Sequence, residues 1–164
     1  MKALLRSLFR IPDGCGVKFG MLWRLGRLVG VNGSVWWPVH FTTTVRCPKR
    51  MKLGLRTFPG DSPNCYINAQ NGIVVGDDVN IGPGVGLVSA NHDFADNSKH
   101  TKCPPIRLGA RTWIGMNAVI LPGVELGENT IVGAGAIVTK SFPQGHVVLA
   151  GNPAKSIRDL RAAR

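Results

Sequence analysis

From Leu108 to Val138 an aliphatic side chain returns at every sixth position, as Leu108, Ile114, Ile120, Leu126, Val132 and Val138. A helix repeats its buried face about every 3.6 residues and a strand at every second one, so a period of six belongs to neither. It fits one short strand and one tight corner, wound repeatedly into a solenoid. Four of these residues are followed at once by glycine, in Leu108-Gly109, Ile114-Gly115, Leu126-Gly127 and Val132-Gly133. The positions four residues on, Thr112, Ala118, Val124, Thr130, Ala136 and Phe142, are mostly small or β-branched, as a narrow interior requires.

The same period runs earlier in a shifted frame, through Val75-Gly76, Ile81-Gly82 and Leu87, with companions Ile73, Val79, Val85 and Asn91. Leu87 and Leu108 are 21 positions apart, which six does not divide, so something is inserted. The polar run Asn91 to Pro105 is the interruption, and a polar insertion in a solenoid projects as a loop, often on the working face. The expected organisation is a basic segment over 1–40, irregular or partly helical, then a β-solenoid over 41–152 with its loop insertion at 92–105. A tail over 153–164 follows, expected to hold a short helix. With 21 Gly, 11 Pro and a single Tyr, the composition suits stacked coils better than a sandwich with a large aromatic core.

The net charge of +11 is concentrated at one end. Residues 1–60 contain eleven Lys and Arg against Asp13 alone, whereas the remainder is nearly balanced. Leu4, Leu5, Leu8 and Phe9 beside Arg6 and Arg10, then Phe19, Met21, Leu22, Trp23, Leu25 and Leu28 beside Arg24 and Arg27, form a basic amphipathic pattern. Two readings stand: peripheral contact with an anionic membrane, or a cap whose apolar side closes the solenoid. No nucleic-acid motif accompanies the charge, so nucleic acid is not an expected partner. Basic residues cut the apolar run every few positions, well short of the roughly 18 residues that cross a bilayer. The start lacks a clean secretory cleavage site, and Cys15, Cys47, Cys65 and Cys103 show no paired spacing, so a cytoplasmic protein with idle thiols is expected.

Among His40, His92, His100 and His146, only His92 stands where the repeat breaks, in Ser89-Ala90-Asn91-His92-Asp93-Phe94. An imidazole there can take a proton near neutral pH if its other nitrogen is held in one tautomer. Asp93, Asp96 or a backbone carbonyl could do the holding.

The run W-I-G-M-N-A-V-I-L-P-G-V-E-L-G-E-N-T-I-V-G-A-G-A-I-V-T-K-S-F-P from Trp113, followed by A-G-N-P-A-K from Ala150, resembles the hexapeptide-repeat acyltransferases. Within them it is similar to the galactoside, maltose and serine O-acetyltransferases and to capsule and lipopolysaccharide sugar acetyltransferases, over about residues 60–160. The resemblance implies a left-handed parallel β-helix with three hexads per coil, assembled as a homotrimer, with acetyl-CoA as co-substrate in grooves between subunits. The hand comes from the family, since the usual crossover preference is right-handed. The implied reaction transfers an acetyl group to a hydroxyl of a sugar or saccharide, with no metal, and His92 matches the family's general base.

The resemblance assigns further positions singly. Trp113 matches a tryptophan lining the groove near the pantetheine arm. Met116 stands where several relatives have a serine that stabilises the oxyanion, which leaves its backbone N–H as the donor. Ala134 matches a small position beside the arm, while Thr139, Lys140, Lys155 and Arg158 match polar and basic positions facing the phosphates. Asn68 resembles an acceptor-binding asparagine, and Asp93 is a second acceptor candidate beside the base. Two other readings use the same solenoid. A γ-type carbonic anhydrase needs a zinc histidine set that the spacing of His92 and His100 does not supply. A non-catalytic scaffold, or an inactive homologue, would have no reason to combine His92, Trp113, Lys140 and Lys155.

Overall fold

Each hexad folds as a strand of two or three residues and a corner, and three of them complete one coil. The computed structural model describes residues 1–28 and 30–162 and opens with two helices, α1 (Lys2–Leu8) and α2 (Val17–Leu28). The first coil carries β1 (Thr44–Arg46) and β2 (Met51–Leu53), and the second β3 (Tyr66–Asn68), β4 (Ile73–Val75) and β5 (Asn80–Ile81). In the third, β6 (Gly86–Val88) leads into the inserted loop, after which come β7 (Ile106–Leu108) and β8 (Trp113–Ile114). The fourth has β9 (Val119–Ile120), β10 (Glu125–Leu126) and β11 (Ile131–Val132). The last holds β12 (Ile137–Val138) and β13 (Val147–Ala150), and β14 (Lys155–Asp159) follows.

These strands stack into three sheets, β1-β3-β6-β9-β12, β2-β4-β7-β10 and β5-β8-β11-β13-β14, the first, second and third faces of a triangular prism. Beyond the loop the coil is regular: Glu125 pairs with Arg107, Ile131 with Trp113 and Ile137 with Val119, each 18 positions apart. Across the loop the partners are Ile106 with Ile73, Trp113 with Asn80 and Val119 with Gly86, each 33 positions apart. The chain therefore leaves at the corner between the first and second faces and returns there with the parallel ladder intact.

The six-residue aliphatics point inward and stack on themselves. On the third face Ile81, Ile114, Val132 and Leu149 form one buried ladder, and Leu87, Ile120 and Val138 form another on the first. The glycines that follow them have a steric cause. A Cβ on Gly109 would sit 2.4 Å from the backbone nitrogen of Glu128, and one on Gly115 2.7 Å from that of Ala134. Successive corners stack too closely for any side chain there.

The N-terminal segment joins this core. Trp23, Val35, Trp37 and Val39 belong to the same buried cluster as Met51, Cys65 and Ile67, and the Trp37 indole donates to the Pro59 carbonyl at 2.8 Å. One side of α2 is thus buried against the first coils. At the other end the expected short C-terminal helix does not form; residues 155–159 are β14, antiparallel to β13. Its cause is the open edge that the last coil exposes, whose N–H and C=O groups a returning strand satisfies and a helix cannot. Residues 163–164 of the expected tail lie outside the described residues.

Candidate active site

The inserted loop is a short antiparallel excursion closed by a bridge between His92 and His100, whose rings lie 4.5 Å apart at 34°. His92 Nδ1 donates to the carbonyl oxygen of Asn97 at 2.7 Å. A carbonyl only accepts, so the hydrogen sits on Nδ1 and the neutral ring presents the Nε2 lone pair outward. Of the three holding groups open in the sequence, the structure uses a backbone carbonyl. Asp93 is occupied otherwise: its Oδ1 accepts the N–H groups of Ala95 at 2.8 Å and Asp96 at 3.1 Å, closing the loop's tip. Asp96 accepts from the Ser98 hydroxyl and pairs with Lys99, and these contacts hold its carboxyl below the usual range.

The loop's base is clamped by a residue that the sequence did not single out. Asn71 Nδ2 meets the carbonyls of Ser89 at 3.0 Å and Thr101 at 2.9 Å and the Cys103 sulfur at 3.1 Å, while its N–H donates to Ser89 Oγ at 2.9 Å. One side chain thus joins the departing and returning strands of the loop. Nothing local in the sequence signals this, because Thr101 lies 30 positions away. Asn68, expected to meet the acceptor, is 9% exposed and its side-chain oxygen takes the Gln70 N–H at 3.1 Å. It shapes the turn that leads to Asn71.

A second group of expected residues collects elsewhere. Trp113, 54% exposed, begins a row across the outer side of the third face, where it pairs with Ile131, Ile131 with Val148, and Val148 with Arg158. At about 4.8 Å per strand, the backbones at Trp113 and Arg158 stand roughly 14 Å apart along this row. Lys155 lies on the same last strand, opposite Ala150. Met116 and Ala134 stack at the corner between the third and first faces, tied by the Gly135 N–H, which donates to the Met116 carbonyl at 2.8 Å. Among the described residues the Met116 N–H meets no acceptor, and its side chain is exposed. Thr139 and Lys140 follow β12 at the corner between the first and second faces, the corner from which the His92 loop springs.

Within one chain, then, the expected residues form two groups. His92, Asp93, Thr139 and Lys140 stand at one corner; Trp113, Met116, Ala134, Lys155 and Arg158 occupy the third face and its corner, with the whole first face between them. The remaining histidines serve locally: His40 bonds Thr42 at 2.8 Å, and His146 accepts from Asn129 at 3.0 Å.

Residues 105–140 match the family model described as bacterial transferase hexapeptide, six repeats. Nodulation protein L of Rhizobium leguminosarum bv. viciae is 36% identical over 138 residues, which is 82% of this chain and 68% of the relative. The chain belongs to the hexapeptide-repeat transferase family. A galactoside acetyltransferase solved in complex with coenzyme A superposes with a TM-score of 0.62 at 32% identity, covering 73% of this chain and 62% of that one. A maltose O-acetyltransferase from Clostridium difficile 630 gives 0.60 at 30% identity, with coverages of 71% and 64%. The coil is accordingly the left-handed parallel β-helix of this family. The chain spans about half the length, 44–51%, of other curated relatives that it matches.

Proposed function

We propose that this chain transfers an acetyl group from acetyl-CoA to a hydroxyl of a sugar or saccharide, with His92 as general base. The observation that carries the reading is the bond from His92 Nδ1 to the Asn97 carbonyl, which fixes the tautomer a base needs. Nε2 removes the hydroxyl proton as the acceptor oxygen attacks the thioester carbonyl. The tetrahedral oxyanion takes the free Met116 N–H, a fixed donor costing no reorganisation. Collapse breaks the carbon–sulfur bond, and the imidazolium returns its proton to the departing thiolate of CoA. Acid–base chemistry closes the cycle with no covalent enzyme intermediate.

The donor fits the row on the third face, with Trp113 and Ala134 beside the pantetheine arm and Arg158 and Lys155 toward the phosphates. Thr139 and Lys140 reach the same cofactor from a neighbouring copy. A homotrimer supports this reading because it sets the corner of one prism, with His92 and Lys140, against the face of the next, with Trp113, Met116 and Arg158. One chain alone cannot close the site. The loop supplies the acceptor contacts, with the second oxygen of Asp93 free for sugar hydroxyls while Asn68 holds the turn below. The structural neighbours acting on galactosides and maltose favour a saccharide. A donor of acetyl-CoA and four unpaired thiols support a cytoplasmic site of action.

Release of free thiol from acetyl-CoA, measured against a panel of galactosides, maltose, serine and oligosaccharides, tests the proposal. Acceptor-dependent release that disappears in His92→Ala is the expected result. Release that His92→Ala leaves unchanged, or none with any hydroxyl acceptor, overturns it.

A further inference from the structure

The helix α2 is apolar on two opposite sides, and the solenoid covers only one. Its inner side presents Gly20 and Trp23, the latter 5% exposed within the core cluster. Its outer side presents Leu22, Leu25 and Leu28 at 69%, 48% and 82% exposure. On α1, Leu4 and Leu8 are 71% and 72% exposed, one helical turn apart. A helix at the edge of a water-soluble fold carries polar residues on its outer face; one apolar on both sides has a second surface to bury.

The linker pins the two helices to each other, and Leu8 of one meets Leu25 and Leu28 of the other along a shared groove. Arg6 donates to the carbonyls of Pro12 at 2.9 Å and Cys15 at 2.6 Å, and Arg24 donates to the Arg10 carbonyl at 3.0 Å. The groove between the helices is lined by Leu8, Phe9, Arg10, Arg24, Leu25 and Arg27, among others. Exposed Lys2 and Lys18 stand together at a second hollow between the helices, with Arg6 and Phe19, and neither helix contains an acidic residue.

Leucines outward, a rim of cations and no acid describe a surface made for the boundary between anionic headgroups and acyl chains. We propose that α1 and α2 dock this chain on an anionic lipid bilayer, the five leucines entering the boundary while Lys2, Arg10, Lys18, Arg24 and Arg27 meet lipid phosphates. The proposal concerns the outer side of α2 and leaves the capping by Trp23 unchanged. A second copy is a poor occupant, because a two-fold contact would set like charges against each other with no acid on either helix and only Asp13 in the linker between them. A soluble polyanion would leave the leucines in water. Docking is peripheral: no helix among the described residues is long and apolar enough to cross a membrane. The surface is separate from the His92 and Trp113 groups, so the inference does not depend on the acetyl-transfer reading.

Co-sedimentation of the full chain with phosphatidylcholine vesicles, with and without about 30% phosphatidylglycerol, tests this directly. The chain should bind only the anionic vesicles, and binding should weaken as added salt shortens the screening length from about 10 Å toward 3 Å. The variant Leu4→Ser/Leu8→Ser/Leu28→Ser removes apolar surface that is 71%, 72% and 82% exposed, and should cut vesicle affinity about tenfold or more while its melting temperature holds. Lys2→Gln/Lys18→Gln should weaken binding and flatten its salt dependence. Absence of binding to anionic vesicles overturns the proposal, as does affinity that the serine variant leaves unchanged. A change in oligomeric state on serine substitution without vesicle binding also overturns it, and assigns the leucines to a contact between copies.

Discussion

His92 and Asn97 are joined through a ring nitrogen and a main-chain oxygen, 2.7 Å apart, so the tautomer of the imidazole is set by the loop's backbone and not by a carboxylate. Two substitutions separate these contributions. His92→Ala should lower turnover by about two to four orders of magnitude with the assembly unchanged. Asn97→Ala, whose side chain is exposed and whose carbonyl remains, should stay within about threefold of the parent. Steady-state thiol release on both variants checks the pair, and a large loss in Asn97→Ala would show that the carbonyl is not what orients the base.

On the proposed reading, Lys140 and Arg158 meet a part of the donor that does not change as the thioester reacts. Removing either charge should raise KM for acetyl-CoA by about tenfold and leave kcat nearly intact. The reverse pattern, a fall in kcat at constant KM, would remove these residues from the donor site.

Asn71 should act on the loop as a unit. Asn71→Ala removes the shared donor and leaves the Thr101 carbonyl without one, while that of Ser89 keeps only the Cys103 thiol, at a cost of about 1–3 kcal/mol borne by the loop's base. Limited proteolysis should then cut within residues 91–105 faster than in the parent, and turnover should fall because His92 rides on that loop. Equal cleavage rates in the two proteins would refute the clamp.

Asp61 supplies a pH signature. Partial burial raises its pKa above the ordinary value, so the folded state binds its proton more tightly than the unfolded chain. The stability this contributes is fully present below the ordinary carboxylate pKa and is lost as pH rises through the elevated one. At neutral pH the buried charge is a cost that Asp61→Asn removes. The variant should melt about 2 °C higher at pH 7 and lose that advantage as the pH falls toward 4. An advantage that grows on acidification would reverse the assignment.

The repeat was readable from residue 73 onward because each interior aliphatic there has a companion at fixed spacing, and Val75, Ile81, Leu108, Ile114, Leu126 and Val132 are each followed by a glycine. The first coil was not readable. Thr44 pairs with Tyr66 and Tyr66 with Gly86, at separations of 22 and 20 instead of 18, so the strands at 44–46 and 51–53 share no period with those after them. Residues 155–159 misled for a different reason: their composition suits a helix, but an exposed sheet edge outweighs propensity. His92 could be found because the pattern breaks at it. The Asn97 carbonyl and the Asn71 clamp could not, since a backbone oxygen carries no residue signature and the clamp spans a distance set only by coiling.

Because the chain departs and returns at one corner with Ile73–Ile106 and Asn80–Trp113 still paired, the coil above is indifferent to how much chain lies between. The excursion can be lengthened, shortened or exchanged for that of a relative with only the clamp at its base to rebuild. On the proposed reading, choice of acceptor and capture of donor then lie on separable pieces of one chain, and a graft of the loop alone is the economical route to a new specificity.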